Sequence, residues 1–500
     1  MKKSKFFLFV FLIASQSYLI ATPSFTSLKE ICKIQTTLFY ATNLNKLKSH
    51  DKIYIDFIEN CIAGKDIQAQ ATSIIKTYHL KLYKKNIDSS CSFVNDSTIN
   101  NILLSFSHES ILNEWNDSKF SFDKSFEKSH SIDRLSTKLY LLFYTKGVLD
   151  NEYAYLREKK NEIDLAFNSA LKNVLENNYS FDVSLKNMLV KLKDPHVTFL
   201  NKNNTYFPKT IKKDSIWIFP FEFIVEENQI YVSTNDPKRT LLLRAIDAYT
   251  AKQLIDSVNF YSQSNNIFQF QYSVKQYLSY FFFPEGMHRF VLFDTLLKKE
   301  EVMFVGRDAV FAKSHYAAIN KEYMPDFLKS KVRVNFSTIS DVEFTKIFNS
   351  LNDGDTVVID FRGYPTHHIK SLMKLLPETQ KVVATGYFAD HSTGCFSRKE
   401  SYTYNDKNLR GRFNKKITIY GRINFTTGSY VETSVMILKT YLPNFHTIGT
   451  PTAGAMGSIE LKKLPYGFSF YYPYHKFEFE DKQFVNENSN LIPDLYYYGR

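Results

Sequence analysis

The sequence predicts an α/β protein that combines a layered core of mostly parallel strands with an N-terminal helical region and a small β-rich module. Beyond about residue 310, short β-branched runs alternate with helix-like segments, which is typical of such a core. Residues 133–192 place apolar side chains at intervals of three and four, as amphipathic helices do. Residues 205–305 instead contain strand-like runs separated by polar turns.

Changes in these patterns predict the domain boundaries. We expect a signal peptide over 1–21, a helical region over 22–130, a second helical segment over 131–204, the β-rich module over 205–305 and the α/β core over 306–500. The second helical segment should end before Pro195, because proline disfavours helical geometry in the residue that precedes it. Within the module, SIWIFPFEFIVEENQIYVSTN predicts two strands around a Glu-Glu-Asn turn.

The first residues have the pattern of a secretory signal peptide. Lys2, Lys3 and Lys5 precede an apolar run over 6–14, and small residues follow near Ala21. This run is shorter than the ~20 residues that a membrane-spanning helix needs, and no later segment reaches that length. We therefore expect export to the periplasm or the extracellular space, with no integral membrane segment after signal cleavage. An uncleaved anchor is the alternative.

Charge and composition restrict the classes of function. The net charge is +12, but the lysines are spread along the chain, so no nucleic-acid partner is expected. Aromatic residues make up 16% of the chain, which leaves a secreted carbohydrate-binding or adhesive protein as one alternative. The spacing of Cys32, Cys61, Cys91 and Cys395 fits no zinc site, and the sequence leaves open whether they form disulfides or stay reduced.

The strongest chemical motif is the Ser-x-x-Glu formed by Ser429 and Glu432. It follows an apolar, β-branched run over 417–423 and opens a helix-like stretch. One interpretation is a capping box, in which Ser caps the helix and Glu bonds the N–H of the cap residue. The other is a serine nucleophile at a helix N-terminus, where backbone N–H groups can bind a developing oxyanion. Capping boxes are common, so the motif alone favours the cap.

Two further segments could complete an acyl-transfer site. His196 lies on a turn after a helix, in KDPHVTF, and imidazole is well suited to act as a general base at neutral pH. Asp360 and Arg362 follow the strand at 356–359, and α/β proteins gather functional groups at such strand ends. Taken alone, His196 fits a surface or packing histidine, and Asp360 with Arg362 fits a structural ion pair.

Together these segments resemble the tail-specific, or C-terminal processing, serine protease family, whose core is ClpP/crotonase-like. The resemblance runs in family order from about residue 130 to 495, through LKDPHVTF, KVRVNF, VVIDFRGYP, TTGSYVET, HTIGTPTAGAMGSI and ENSNLIPD. It implies a ClpP/crotonase-like core, a degenerate PDZ-like identity for the module at 205–305, and peptide-bond hydrolysis without a metal or an organic cofactor.

The resemblance implies Ser429 as the nucleophile and His196 as its base, as in the tricorn-type members. Members with a Ser–Lys dyad carry Lys after a Thr-x-Gly turn, and here that position is Ala455. A Ser–Lys mechanism is therefore disfavoured. Three further residues are expected to support the site structurally: Asp360, Arg362 and Glu432.

The third catalytic residue of tricorn-type members is a Glu near the C-terminal Glu-Asn…Pro-Asp segment. Glu487 fits that place, and Glu480 and Asp481 are close competitors. A solvated loop carboxylate is the alternative interpretation of Glu487.

The oxyanion loop departs from the family pattern. The usual Asn-x-Gly-Gly stretch is replaced by Tyr364-Pro365-Thr366, and Pro365 has no N–H to donate. We expect the backbone N–H of Tyr430 to supply one oxyanion donor, and that of Gly363 or Thr366 to supply the other.

The predicted function is an exported serine-type endopeptidase, or C-terminal processing peptidase, that hydrolyses polypeptide substrates. The altered oxyanion loop supports the alternative, a non-catalytic peptide-binding protein that retains the protease fold. The sequence leaves open the physiological substrate and the oligomeric state, a homo-oligomer included.

Overall fold

The computed structural model describes most of the chain that follows the predicted signal peptide. The described residues are 24–41, 50–78, 82–83, 111–112, 126–194, 196–201, 215–219, 222–233, 240–262, 264, 267–278, 283, 286–306, 308–311, 325–328, 331–363, 365, 372, 375–376, 382–390, 395–403, 415–479 and 490–497. The signal peptide predicted over 1–21 lies outside them. Of the helices in these ranges, none is long and apolar enough to cross a membrane.

The N-terminal part is mainly helical, as the apolar periodicity predicts. Its helices are α1 (Phe25–Ala41), α2 (His50–Ile62), α3 (Ile67–Thr77), α4 (Phe126–Ser129), α5 (Leu135–Glu152), α6 (Leu156–Glu176) and α7 (Phe181–Val190). Three short strands accompany them, β1 (Leu82–Tyr83), β2 (Ile111–Leu112) and β3 (Thr198–Asn201). The helices share one buried core with Phe468, Phe470 and Tyr472 from near the C-terminus. The helical layer is therefore packed directly on the C-terminal part of the protein.

The β-rich module is an antiparallel sheet with two helices. Its elements are β4 (Ser215–Ile218), β5 (Glu222–Glu226), β6 (Gln229–Ser233), β7 (Thr240–Ile246), β8 (Tyr249–Thr250), α8 (Ala251–Tyr261), α9 (Ile267–Gln276), β9 (Met287–Asp294), β10 (Lys299–Gly306) and β11 (Asp308–Phe311). The main sheet has the order β10-β9-β7-β6-β5, and β4 pairs separately with β11. The predicted turn is confirmed: Glu227 and Asn228 join β5 to β6, both with positive φ, as a two-residue type I′ hairpin requires.

The C-terminal part consists of two sheets around a buried helix. Its elements are β12 (Val332–Asn335), α10 (Asp341–Ser350), β13 (Thr356–Asp360), β14 (Val382–Asp390), β15 (Cys395–Thr403), β16 (Thr418–Ile423), α11 (Tyr430–Tyr441), β17 (Phe445–Gly449), β18 (Ser458–Lys463), β19 (Phe468–Phe479) and β20 (Leu495–Tyr496). One sheet is parallel, in the order β12-β13-β16-β17-β20. The other is antiparallel, in the order β15-β14-β19-β18, with β3 on β19.

Helix α11 connects the two sheets. Its Val435 shares a buried core with Val357 of the parallel sheet and Phe479 of the antiparallel sheet. The helix also contacts both β14 and β17. The α/β class is therefore confirmed, whereas the ClpP/crotonase-like and PDZ-like identities and the domain boundaries remain predictions.

Gly449 ends β17 at a point where the backbone passes very close to β16. Its φ is +133°, and an added Cβ would lie 2.0 Å from the carbonyl oxygen of Ile423. Gly449→Ala should therefore lower the free energy of unfolding by about 3–5 kcal/mol in chemical denaturation, because strain and a backbone clash combine. Gly354→Ala is the matched control, since its φ is +88° but no atom lies within 4 Å of an added Cβ. It should cost only about 1–2 kcal/mol, and equal losses would refute the clash.

Candidate active site

Ser429 lies at the junction between a turn and a buried helix. The chain leaves β16, turns over 424–428, and enters α11 at Tyr430. The backbone of Ser429 has φ 54° and ψ −123°, a region that residues with a Cβ rarely occupy. In α/β-hydrolases the nucleophilic serine lies on a strained strand-to-helix turn of this kind, which exposes the hydroxyl.

Glu432 links the turn that contains Ser429 to the turn that contains Gly454 and Ala455. Its side chain is fully buried and accepts the backbone N–H of Ser429 at 2.9 Å, which is the glutamate half of the predicted capping box. The carboxylate also accepts the N–H of Gly454 at 2.7 Å, the N–H of Ala455 at 2.9 Å, and the Thr452 hydroxyl. Burial raises the pKa of Glu432 to about 7 although these four hydrogen bonds oppose the shift. Ala455, the position at which Ser–Lys members carry lysine, thus holds its turn to Glu432 through its backbone N–H.

Asp360 and Arg362 form the ion pair that the strand end suggested. Arg362 donates through Nε to one oxygen of Asp360 at 2.9 Å and through Nη2 to the other at 2.8 Å. This bidentate pair fixes the chain where it leaves β13. Between the two residues, the Phe361 carbonyl accepts the Thr427 hydroxyl at 3.1 Å. The pair therefore supports the Ser429 turn from the neighbouring strand end.

His196 lies on the turn between α7 and β3, with a side chain that is 10% exposed. Its Nδ1 is 3.5 Å from Oδ1 of Asp194, and its backbone N–H donates to the same oxygen at 2.9 Å. Its Nε2 is buried and makes no hydrogen bond to any described residue. On the other side, Cε1 would lie 4.0 Å from a Cβ added to Gly457. The imidazole therefore lies beside a carboxylate at one nitrogen, whereas the other nitrogen is hydrogen-bonded neither to the Ser429 hydroxyl nor to any other described group.

Tyr155 connects the His196 region to the turn that Glu432 holds. Its hydroxyl donates to the Met456 carbonyl at 3.0 Å, one residue before Gly457. Its pKa is raised well above the usual tyrosine range, first by burial and then by the negative charges of Asp194, Glu158 and Glu432. One tyrosine thus lies within electrostatic reach of the carboxylate beside the predicted base and the carboxylate beside the predicted nucleophile.

The remaining predicted site residues are only partly described. Glu487 and Thr366 lie outside the described residues, so their assignments remain predictions. Gly363 is buried just after β13 with φ 105°, and Tyr430 is the first residue of α11. The first N–H groups of a helix point out of its N-terminus, as an oxyanion donor must.

The lysine nearest to Ala455 in sequence is held by two carboxylates. Lys462, the nearest lysine in sequence to Ala455, is bound to Glu152 at 2.8 Å and Glu460 at 3.2 Å. Across the described ranges, no group of three or more His, Cys, Asp or Glu side chains is arranged to hold a metal ion.

Comparisons with known proteins establish the fold. No family model matches the sequence, and no curated protein matches it. A crystal structure of a CPAF mutant matches with a TM-score of 0.50 at 12% identity, over 73% of this chain and 93% of that chain. The photosystem II D1 C-terminal processing protease gives 0.44 at 12% identity, over 73% and 94%, and the tricorn protease gives 0.37 at 15%, over 73% and 34%. The motif resemblance is thereby confirmed at the level of the fold.

Two residues of this region were not singled out by the sequence. Asp194 lies within the quoted KDPHVTF segment, and its place two residues before His196 was an available signal. Tyr155 carried no signal, because its contact with Met456 joins residues that are 301 positions apart.

Proposed function

We propose that this chain is a serine-type endopeptidase, or C-terminal processing peptidase, with Ser429 as its nucleophile. The observation that carries the proposal is the strained backbone of Ser429, at φ 54° and ψ −123°. Such strain persists only where surrounding contacts maintain it, and it concentrates at functional sites. A helix cap does not require it, since Ser340 caps α10 in an ordinary extended conformation, with φ −84° and ψ 159°.

In the proposed reaction, the Ser429 hydroxyl attacks a peptide carbonyl while Nε2 of His196 accepts its proton. The backbone N–H of Tyr430 and that of Gly363 or Thr366 bind the tetrahedral oxyanion. Protonated His196 then gives the proton to the leaving amine, and an acyl-enzyme on Ser429 remains. Water, deprotonated by the same imidazole, hydrolyses this ester and restores the serine.

The proposed substrate is an extended polypeptide outside the cytoplasm. Helix α9 of the β-rich module contacts the loops of the site: Gln269 donates to the Ala453 carbonyl at 2.7 Å, and the Lys275 ammonium lies 5.7 Å from the centroid of the Phe425 ring. These contacts support a role for the module in holding peptide close to Ser429, as PDZ-like domains do by strand addition.

The test is covalent labelling of the chain without residues 1–21 by a fluorophosphonate probe, followed by tryptic peptide mapping. We expect a single adduct on Ser429, in the peptide spanning 423–439, and none in heat-denatured protein. An adduct on another serine would overturn the assignment. An unlabelled, folded protein that still binds unstructured peptides would establish the non-catalytic alternative.

A further inference from the structure

Asp194 is a buried carboxylate whose two oxygens have separate partners. The side chain is 4% exposed. Oδ1 faces His196, accepting its backbone N–H at 2.9 Å and lying 3.5 Å from its Nδ1. Oδ2 accepts the hydroxyl of Tyr153 at 2.6 Å. We propose that Asp194 is the positioning residue that orients His196 and fixes its tautomer, an inference that rests on the proposed function.

The chemistry of the pair favours one protonation state of the ring. An ionised carboxylate only accepts hydrogen bonds, so Asp194 favours the tautomer with the proton on Nδ1 of His196. That tautomer leaves the lone pair on Nε2, which is the nitrogen that must accept the serine proton. Nε2 is buried and has no hydrogen-bond partner among the described residues, so no competing donor occupies it. The 3.5 Å separation is long, as catalytic contacts often are without substrate.

The turn between α5 and α6 holds this arrangement from both sides. Tyr153 is fully buried, and its hydroxyl prevents the Asp194 carboxylate from rotating away from the imidazole. The N–H of Ala154 donates to the Pro473 carbonyl at 2.8 Å, which ties the same turn to β19. The Tyr155 hydroxyl donates to the carbonyl of Met456, which precedes Gly457, where an added Cβ would lie 4.0 Å from Cε1 of His196. The turn at 153–155 therefore holds both the Asp194 carboxylate and the backbone at Met456.

The orienting role then belongs to Asp194, on the same turn as the base, rather than to Glu487. The two assignments predict different consequences, because only the true orienting carboxylate should control which ring nitrogen of His196 carries the proton.

The test is a long-range ¹H–¹⁵N NMR correlation on the folded chain without residues 1–21, labelled with ¹⁵N-histidine. Twelve histidines are present, and His196 is assigned by the signal that disappears in His196→Gln. We expect the proton on Nδ1 in the wild type and loss of this fixed tautomer in Asp194→Asn. Labelling of Ser429 by the fluorophosphonate probe should slow by about 10⁴-fold in the same variant.

The matched control is Asp51→Asn. Asp51 is also buried, accepts a tyrosine hydroxyl from Tyr140 at 2.7 Å, and lies 3.2 Å from the ring of a neighbouring histidine, His50. It belongs to the helical layer rather than to the site, so its substitution should change neither the His196 tautomer nor the labelling rate.

Several outcomes would overturn the inference. They are a proton on Nε2 in the wild type, an unchanged tautomer in Asp194→Asn, and a tautomer that moves in Glu487→Gln instead. If Asp194→Asn does not fold, the wild-type tautomer decides alone. A wild type that reacts with no probe refutes the proposed peptidase, while the NMR measurement still decides whether Asp194 orients the ring.

Discussion

In the Ser429→Ala protein, hydrolysis of an unfolded, dye-labelled polypeptide should fall by about 10⁶-fold, to a residual rate about 10³–10⁴-fold above that without enzyme. The serine oxygen is the atom that forms the acyl bond, so no neighbouring group can replace it. His196→Ala should cost a similar factor, and the double variant should cost no more than either single one, because nucleophile and base act as a unit. Initial rates of fragment release, with folding checked by circular dichroism, measure these effects.

The control for this prediction is the contact between Ser458 and His475. The hydroxyl of Ser458 lies 3.3 Å from Nδ1 of His475, whose pKa burial lowers to about 4. Ser458 is the first residue of β18, at a register irregularity of that strand, and lacks the positive φ of Ser429. Ser458→Ala should therefore leave turnover unchanged. If it stops turnover and Ser429→Ala does not, the nucleophile is Ser458.

The strands of the core could be predicted individually, but not all of their partners. The runs KVRVNF, TVVIDF, KKITIYGRI and FHTIGT form neighbouring strands of the parallel sheet, as expected. The run KVVATGYF also forms a strand, β14, but it lies in the antiparallel sheet between β15 and β19. A β-branched run indicates that a strand is buried. It carries no information about direction, which depends on connections that are distant in sequence.

In the site too, local pairs of residues could be predicted from the sequence, but long-range contacts could not. Ser429 with Glu432, and Asp360 with Arg362, could be paired from the sequence because each pair is separated by three residues or fewer. The hydrogen bonds from Gly454 and Ala455 to Glu432 join segments more than twenty residues apart. Neither these bonds nor the burial of Glu432 produces a local pattern in the sequence. Backbone strain at Ser429 is likewise set by its tertiary contacts.

Glu432→Gln should slow labelling of Ser429 by the fluorophosphonate probe by about 10²-fold while leaving the nucleophile in place. The carboxylate accepts four donors, two of them the N–H groups of Gly454 and Ala455. An amide has one acceptor oxygen and presents its own N–H groups, so at least one buried donor loses its partner. The turns then shift, and a displacement of about 1 Å is enough for a loss of this size. Labelling rates at several probe concentrations measure it.

The same carboxyl should make folding stability depend on pH. Burial raises the pKa of Glu432 to about 7 in the folded protein, from an ordinary value of 4.5. Between these values the folded protein holds a proton that the unfolded chain has released. The free energy of unfolding should therefore decrease as pH rises from about 4.5 to about 7, by about 3 kcal/mol in total, and level off above that. Glu432→Gln should remove this decrease in denaturation experiments across the same range.

Glu343 provides the matched control, because it holds the same capping-box position at the start of α10 but is exposed. Hydrogen bonds from the backbone and hydroxyl of Ser340 lower its pKa. Its contribution to stability is therefore lost as pH falls, opposite in sign to that of Glu432. Glu343→Gln should leave both the slope above pH 4.5 and the labelling rate unchanged. If the wild type and Glu432→Gln share one pH dependence, the pKa of Glu432 is not raised in the folded protein.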